Sequence, residues 1–450
     1  MGDRLMVSEY DFDEDLSGKK APDNTIKPIK SLRDVATELM KQYSFATTTK
    51  DEELFCYDSG RGIYVPDQEW LIKRESRRLL PSIDFHDIRE VISIIKDSTY
   101  VDRSLFDSNP DLINLQNGYL NIHTNEFKEH SPQQYFLSVV PINYNQTAKC
   151  PRFAKFLSQI LKAKDIPIML ELIGYCFYRS AKFEKAILCI GKGDNGKSTL
   201  LKALEYCVGD ENTSNATLQD LSGGDKFASA DLYGKLINTF ADLRSDKITK
   251  GGSGKFKALV SGDRGAAQKK YGQRFFFRNH AKLIFSCNDI PESDDDGYAY
   301  FKRWIIFHFE RVFTGEDKDV NLIDKMRTEE EKSGILNLAL TGLKRLIDNG
   351  GFVGSDDIET VRDDYIGNSA DIGRFIEDKC IITKNIEDSI ICRDLWGIYL
   401  SYCKDKGITS KDDKTFGMEL MAKHVTKKQL MMDYDRAYYY VGVKLKEFFT

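Results

Sequence analysis

Short strand-like runs and helical apolar repeats alternate along the middle of the chain. Between residues 183 and 312, four runs of five to seven residues carry clustered apolar side chains and are separated by polar or glycine-rich stretches. Runs of this length and composition are typical of buried strands. The pattern therefore predicts an α/β core with strands at 186–190, 235–240, 281–287 and 304–309.

The segments before this core differ in character. Residues 1–30 are acidic and then rich in Lys and Pro, which is typical of a disordered tail. Residues 31–108 combine helical patterns with short strand-like runs and predict a small α+β domain of unassigned role. Residues 109–150 carry strand and turn signals, including Asn117-Gly118, a dipeptide that favours a hairpin turn.

Helical patterns dominate around and after the core. Residues 151–180 carry two apolar stripes at helical spacing, and residues 313–350 are expected to be helical and charged. In 368–450, three helical stretches precede two strand-like runs, which is the order of a winged helix. The third of these helices, at 414–424, is the candidate recognition helix.

Composition limits the classes of protein to consider. The chain has 450 residues, 41% hydrophobic and 30% charged, which is typical of a soluble protein of two to four domains. No apolar run approaches the roughly 20 residues that span a bilayer. The nine cysteines form no C-x-x-C pair, which argues against a zinc site and a disulfide framework. We therefore expect a cytoplasmic protein with reduced cysteines and no membrane partner.

The stretch after the first predicted strand matches a P-loop. Glycines let the backbone turn its N–H groups toward phosphate oxygens, and a helical pattern then begins, so that the helix dipole also favours anions. Lys197 is expected to reach the β- and γ-phosphates, and Ser198 to bind Mg²⁺. The stretch predicts binding of ATP with Mg²⁺ by Gly191, Gly193, Asp194, Asn195, Gly196, Lys197, Ser198 and Thr199.

Three further residues near strand ends are candidates for the chemistry of hydrolysis. Asp242 follows the strand 235–240 and fits a Walker B acid that holds Mg²⁺ or polarises the attacking water. Asn288 follows 281–287 and fits a side chain that holds this water and senses the γ-phosphate. Arg303 is the candidate arginine finger, which commonly acts on a neighbouring subunit. The alternatives are turn residues at Asp242 and Asn288 and a surface cation at Arg303.

Charge is uneven along a chain whose net charge is −5. Ten Lys or Arg residues and one acid, Asp263, lie between 247 and 282, as expected of a site for a polyanion, although a solvated loop is the alternative. The DNA contacts predicted here are Lys257, Lys269, Lys270, Tyr271 and Arg274. In the winged helix they are Lys414, Lys423 and Arg436, with protein contacts as the alternative.

The order of these motifs resembles the superfamily 3 helicases, which are AAA+-related. A P-loop, a Walker B acid, a basic hairpin segment, a strand that ends in Asn and an Arg follow one another as in that family. Outside the core, three stretches are similar to the phage, plasmid and poxvirus primase-helicases: the opening Asn109-Pro-Asp-Leu, Cys150-Pro-Arg-Phe, and Glu171-Leu-Ile-Gly-Tyr. The resemblance spans roughly 109–445.

The resemblance implies a replicative DNA helicase of a virus, phage or plasmid-like element. It implies a domain at 109–182 that precedes the motor, a motor at 183–350, and a ring, expected to be a hexamer, that moves on single-stranded DNA and opens forked DNA. Tyr271 would stack on a base in the pore. Asp242 stands where the family often has Glu, and no primase domain is recognised, so a separate primase is expected. The alternatives are an initiator that melts an origin without processive unwinding, and a P-loop switch.

Overall fold

The computed structural model describes residues 31–225, 227–243, 248–268, 270, 274–288, 290–291, 293–295, 297–319, 321–355, 358, 360–361, 365, 372–383, 385, 387–406, 410–423, 425–432 and 435–446. The predicted tail at 1–30, and with it the prediction of disorder, lies outside these residues. The described chain divides into two compact units, one from Met1–Cys56 and Pro66–Asp102 and the other from Tyr57–Val65 and Arg103–Thr450.

The first unit is a small α+β structure. Its strands pair around β1, which is antiparallel to β2 and parallel to β4, while the apolar side chains of its helices form a separate core. The elements up to residue 101 are α1 (Leu32–Gln42), β1 (Phe45–Thr48), β2 (Leu54–Asp58), β3 (Ile63–Pro66), α2 (Glu69–Leu79), α3 (Phe85–Ser98) and β4 (Tyr100–Val101). Ser31 begins α1 with a capping box, since its hydroxyl accepts from the Asp34 amide and the Asp34 carboxylate accepts from the Ser31 amide.

After Arg103, the second unit contains a meander of three strands, β5 (Leu112–Leu115), β6 (Gly118–Asn121) and β7 (Phe127–Lys128). The predicted hairpin is present between β5 and β6. Its strands pair from Leu115 opposite Gly118, so the turn itself is Gln116-Asn117.

The centre of the second unit is a five-stranded parallel sheet. Its strands follow the order β14-β8-β13-β10-β9, and all neighbouring pairs are parallel. The predicted strands all occur, with ends shifted by no more than two residues. The strands of this region are β8 (Ala186–Ile190), β9 (Thr213–Ser214), β10 (Ile237–Phe240), β11 (Arg264–Gln268), β12 (Arg274–Arg278), β13 (Lys282–Cys287) and β14 (Trp304–His308).

Both faces of the sheet are buried, which explains the apolar character of its strands. In β8, Ile187 and Cys189 join one hydrophobic core, and Ala186, Leu188 and Ile190 join the other. Alternation of side chains along a strand produces this division. The helices around the sheet are α4 (Pro151–Ile160), α5 (Ile166–Phe177), α6 (Lys197–Val208), α7 (Lys250–Val260), α8 (Tyr298–Phe301), α9 (Leu322–Met326) and α10 (Glu329–Asp348).

Helix α10 holds α4 and α5 in place. At Gly174 and Gly342 the backbones of α5 and α10 approach so closely that a Cβ atom would collide with the opposite main chain. At the start of α4, the carboxylate of Glu331 on α10 accepts hydrogen bonds from the backbone amides of Arg152 (3.1 Å) and Phe153 (3.2 Å). Glu331 thereby satisfies two of the amides that a helix N-terminus leaves without intrahelical partners.

The prediction that 313–350 is helical throughout is wrong for its first part. Between β14 and α9, the described residues 309–319 and 321 form an irregular segment, called here the strap, with a single 3-10 turn at Gly315–Asp317. The Phe313 amide donates to the carbonyl of Asp194 (2.8 Å), a bond to a distant loop in place of a helical one. This tertiary contact overrides the local helical pattern.

The C-terminal segment has its own core, formed by three helices and the strands beside them. The helices are α11 (Ile372–Lys379), α12 (Cys392–Lys406) and α13 (Asp413–Ala422). The strands are β15 (Cys380–Ile382), β16 (Ser389–Ile391), β17 (Thr426–Met432), β18 (Asp435–Val441) and β19 (Val443–Leu445), of which β17 and β18 form the hairpin expected after α13. The sequence pattern did not predict β15, β16 and β19.

Candidate nucleotide and nucleic-acid sites

Residues 191–196, called here the glycine loop, join β8 to α6 at the carboxyl edge of the sheet. Two of its glycines are required by geometry. A Cβ atom at Gly191 would lie 2.5 Å from the carbonyl oxygen of Phe309, and Gly196 has a φ of +90° with a Cβ position 2.7 Å from Ile160 Cγ2. A left-handed φ strains residues other than glycine. The loop therefore keeps its path only with glycine at these positions.

The ammonium group of Lys197 lies within the glycine loop. Its Nζ donates to the carbonyl of Gly191, to the carbonyl of Lys192 (3.3 Å) and to Oδ1 of Asn195 (3.3 Å). Burial lowers the pKa of this ammonium, because desolvation disfavours the charged form. A cation that is surrounded by carbonyl oxygens in a partly desolvated loop can exchange these weak acceptors for an anionic ligand.

Asp242 and Asn288 line the same cavity as Lys197, Ser198 and Thr199. The cavity has a volume of about 820 Å³, which suits a small-molecule ligand. Oδ1 of Asn288 lies 3.4 Å from Nζ of Lys197. Asp242 is exposed and has a φ of +63°, so its carboxylate is presented from a turn after β10. The predicted residues of three strand ends thus meet around one space.

Two of the residues predicted to bind the nucleotide, Asp194 and Asn195, bond through their side chains to other parts of the chain. Asn195 is buried, and its Nδ2 donates to the carbonyl of Phe309 (3.2 Å), which ties the loop to the end of β14. The carboxylate of Asp194 accepts from Nζ of Lys318 on the strap (2.7 Å). These two side chains hold the loop in shape, whereas the exposed Ser198 hydroxyl and Asp242 carboxylate are oxygen donors of the kind that Mg²⁺ prefers.

Sequence reasoning missed the wall of the cavity opposite the strand ends. It is formed by α4, the strap and α9, and its polar and aromatic residues include Arg152, Lys155, Gln159, Phe313 and Lys325. Nη1 of Arg152 donates to the Lys325 carbonyl (3.1 Å), which joins the two sides of the wall. The spacing of Arg152, Lys155 and Gln159 on one helical face was the available signal, but nothing in the sequence indicated what that face adjoins.

Arg303 is not brought to the cavity. It precedes β14 and therefore lies at the opposite edge of the parallel sheet, roughly 15 Å away for a strand of five residues. Its Nε and Nη2 donate to Oγ of Ser261 (3.2 and 2.7 Å), and Glu184 Oε2 lies 3.5 Å from Nη2. The structure therefore places the Arg303 guanidinium away from the glycine loop of its own chain, and its predicted action on a neighbouring subunit stays a prediction.

The basic segment forms a helix and a two-stranded hairpin. On the outer face of the β11–β12 hairpin, Phe276 is 56% exposed, with the guanidinium carbons of Arg264 and Arg274 at 4.7 and 5.5 Å from its ring centre. Lys270 is exposed in the turn, whereas Lys269 and Tyr271 lie outside the described residues. Sequence reasoning missed Phe276, although alternation in Arg274-Phe-Phe-Phe-Arg278 marks it as facing outward.

Lys257 does not belong to this hairpin. It lies on α7, and its Nζ pairs with Asp295 at 2.7 Å. Burial alone would raise the pKa of the Asp295 carboxyl, but hydrogen bonds from Lys257 and Ser253 outweigh burial, and the pKa is lowered. Lys257 therefore anchors α7 in the core structure, which does not favour the predicted contact with DNA.

In the C-terminal segment, Lys414 and Lys423 lie at opposite ends of α13 and are exposed, and Arg436 is exposed on β18. Between the lysines, α13 also exposes Met418 (50%) and Met421 (45%). The exposed face is thus mixed rather than uniformly basic, and its use for DNA or protein stays a prediction.

Among the described residues, no group of three or more His, Cys, Asp or Glu side chains is arranged to hold a metal ion. The Mg²⁺ predicted at Ser198 and Asp242 needs no such cluster, because this ion is commonly held by one or two protein ligands together with phosphates and water. None of the described helices has the length and apolar character to cross a membrane.

Two protein families match parts of the chain. Residues 26–162 match the family described as "D5 N terminal like", and residues 189–303 match a family of unknown function, DUF5906. The first match covers the described part of the first unit, the meander and α4, and the second runs from the end of β8 to Arg303.

The curated relatives that match include proteins of viruses named as putative helicases. The chain is 28% identical over 186 residues to "Putative helicase V13" of the Sputnik virophage, a match that covers 38% of this chain. It is 27% identical over 223 residues, or 47% of this chain, to "Putative helicase L207/L206" of Acanthamoeba polyphaga mimivirus. These matches cover 24% and 23% of the relatives, so the chain spans about a quarter of their length.

Solved structures of the NrS-1 C-terminal region share the fold. The apo structure has a TM-score of 0.51 at 12% identity, and a second, A-form apo structure has a TM-score of 0.50; each covers 92% of this chain and 100% of that chain. At this identity the likeness concerns the fold alone. The family match at 26–162 and the viral relatives named as putative helicases support the resemblance to a phage and viral primase-helicase family that the motifs indicate.

Proposed function

We propose that the chain is the motor of an ATP-driven replicative DNA helicase of a virus, phage or plasmid-like element. The observation that carries the proposal is the meeting of Lys197, Asp242 and Asn288 around one cavity at the carboxyl edge of a parallel sheet. Ligands of open α/β sheets bind outside the carboxyl ends of the strands. The glycine loop then acts as a P-loop, with amides that face phosphate oxygens.

Each residue of the cavity has a distinct part in this proposal. Lys197 exchanges its loop carbonyls for the β- and γ-phosphates of ATP, whose charge offsets the desolvation of the ammonium. Ser198 and Asp242 hold Mg²⁺, which neutralises charge on the transferred phosphoryl group. Asn288, next to Lys197, holds the attacking water by a hydrogen bond and responds to the γ-phosphate.

A ring of subunits completes the site. Because Arg303 lies at the sheet edge away from its own glycine loop, it acts only on ATP bound by a neighbour, after its guanidinium leaves Ser261 and Glu184. The polar contacts that Arg303 makes in the single chain then serve as its resting position. A hexamer is the assembly that fits the family resemblance.

The β11–β12 hairpin is the proposed contact with single-stranded DNA in the centre of the ring. An exposed aromatic ring flanked by two guanidinium groups can stack on a base and neutralise phosphates without reading sequence. Lys269, Lys270 and Tyr271 at the hairpin turn would add to this contact. We propose that the C-terminal segment is a winged helix that engages duplex or forked DNA, and that a separate primase is the partner.

The experiment is an ATPase assay with and without single-stranded DNA, followed by unwinding of a labelled fork, with Lys197→Ala as the inactive control. We expect DNA to stimulate hydrolysis and the fork to open only with ATP and Mg²⁺. Hydrolysis and duplex binding without unwinding would instead favour an initiator that melts an origin. ATP hydrolysis at the same rate with and without DNA would contradict a nucleic-acid motor and favour a nucleotide switch.

A further inference from the structure

If the proposed function is correct, the order of the strands determines on which side of the glycine loop the ribose and base of the nucleotide lie. The strands that lead to Asn288 and Asp242, β13 and β10, lie on one side of β8, and β14 lies on the other. In the proposed function the γ-phosphate lies beside Asn288 and Asp242. The ribose and base of the same nucleotide must therefore leave the glycine loop toward β14.

Helix α4 and the strap enclose the cavity on that side. Just after α4, Nζ of Lys162 pairs with Glu310, which follows β14, at 2.6 Å. The strap is then tied to the glycine loop through the Phe313 amide, which donates to the Asp194 carbonyl (2.8 Å). The end of α4 and the beginning of the strap thus lie side by side next to the loop.

Gln159 of α4 and Phe313 of the strap are among the residues that line the cavity. Both are half-buried. The Gln159 carboxamide offers two donors and one acceptor. It makes no hydrogen bond with the described part of the chain. The Phe313 ring offers an apolar face, with the Arg311 guanidinium at 4.7 Å from its centre. A nucleobase has the complementary chemistry, namely a flat apolar face and an edge of donors and acceptors.

We propose that α4 and the strap form the nucleoside half of the ATP site, in which Gln159 hydrogen-bonds the edge of the base and Phe313 packs against its face. The phosphates are left to the glycine loop. Gln159 and Phe313 are therefore specificity-determining residues: they contribute to the binding of a nucleoside triphosphate and contribute nothing to the binding of a bare polyphosphate.

The test compares two ligands that differ only by the nucleoside. Isothermal titration calorimetry with the full chain and Mg²⁺ measures the Kd of a non-hydrolysable ATP analogue and of inorganic tripolyphosphate. We expect Gln159→Leu to weaken the analogue about fivefold to tenfold, as for the loss of one neutral hydrogen bond. Phe313→Ala should weaken it about tenfold or more, as for the loss of an aromatic contact to a base. Tripolyphosphate should bind all variants within twofold.

Gln146→Leu is the matched control, because Gln146 is an exposed glutamine of the same unit outside the cavity. Its affinity for both ligands should equal that of the wild type. Two outcomes would show that the nucleoside subsite is wrong while the phosphate site stands, provided that the wild type binds both ligands. Either Gln159→Leu and Phe313→Ala bind both ligands as the wild type does, or their affinities for the two ligands fall equally. If the wild type binds neither ligand, the proposed function fails as well. Two independent variants keep the test decisive should one of them fail to fold.

Discussion

Oδ1 of Asn288 lies 3.4 Å from Nζ of Lys197, although 91 residues separate them along the chain. The adjacency follows from the sheet, since β8 and β13 are neighbours and Cys287 pairs with Ile190 at their carboxyl ends. A cation and a neutral amide held this close can act on the same ligand atom. If the cavity binds and hydrolyses a nucleotide as proposed, mutation of these two residues should separate binding from hydrolysis.

Asn288→Ala should reduce ATP hydrolysis about a hundredfold, because the attacking water and the γ-phosphate lose a positioned hydrogen-bonding group. Nucleotide affinity should change by less than about threefold, since the loop amides and Lys197 remain. Steady-state hydrolysis and calorimetric binding, measured on the same preparation, separate the two effects. Lys197→Ala is the comparison variant and should lose both. Hydrolysis by Asn288→Ala at the wild-type rate would remove Asn288 from the reaction.

Asp242→Asn should bind ATP but require more Mg²⁺ to hydrolyse it. The amide keeps the shape of the side chain and removes the negative charge, which is the part that a hard cation prefers. The measurement is the Mg²⁺ concentration that gives half-maximal hydrolysis, which should rise by about tenfold or more. Asp263→Asn is a suitable control, because Asp263 is an exposed acid away from the cavity. An unchanged Mg²⁺ requirement would make Asp242 a turn residue.

How far the sequence predicts this site depends on the range of the interactions. The strand 186–190 was predicted to the residue, and the glycine loop follows from local rules: a buried strand, glycines at turns and a helix. The meeting of Lys197, Asp242 and Asn288 was also predictable, because parallel strands present their carboxyl ends at one edge. These features depend on short-range pattern and on sheet geometry.

The wall of the cavity was not predictable for the opposite reason. The Phe313 amide and the Lys318 ammonium bind Asp194, more than a hundred residues away, and this contact replaces the helix expected from residue 313. The contacts of Glu331 were not predictable for the same reason. The sequence Thr328-Glu-Glu-Glu331 is typical of a capping box, in which the Glu331 carboxylate would accept from a backbone amide at the start of α10. Its oxygens instead accept from backbone amides at the start of α4. Local rules cannot show which distant group will compete for a side chain.

Arg303→Ala should bind ATP normally and hydrolyse it poorly, because the transition state loses a cation supplied by a neighbour. Fingers of this kind raise the rate by about 10³–10⁵-fold, so the loss should be large. Mixing Arg303→Ala with Lys197→Ala should restore part of the activity, since each variant supplies at mixed interfaces what the other lacks. Lys302→Ala, the adjacent cation, is the control. No recovery in a mixture that demonstrably co-assembles would contradict action between subunits.

The affinity of the β11–β12 hairpin for single-stranded DNA should depend on salt concentration through its arginines. Arg264→Gln and Arg274→Gln should weaken binding of single-stranded DNA, and each should reduce the slope of log K against log salt by about 0.7, the value for one phosphate contact. Phe276→Ala should weaken binding by about 1–3 kcal/mol with an unchanged slope, because stacking releases no counterions. Arg77→Gln, at an exposed arginine of α2, is the charge-matched control. Equal slopes in all variants would place the hairpin arginines outside the DNA path.

Glu331→Ala should lower the stability of the protein and, through α4, weaken nucleotide binding. Glu331 is 3% exposed and accepts from the Arg152 and Phe153 amides, so Glu331→Ala leaves one buried and one part-buried donor without this partner. Such a loss costs about 1–3 kcal/mol for each buried group, and Glu331→Gln, which keeps one oxygen, should cost less. Denaturant unfolding measures the free energy. Glu330→Gln is the matched control, because Glu330 is its exposed neighbour on α10.

Because α4 also lines the cavity, Glu331→Ala should weaken nucleotide binding at temperatures where the chain is still folded. Unchanged stability would show that these bonds contribute nothing net. Lowered stability with unchanged affinity would separate the packing of α4 from its part in the site.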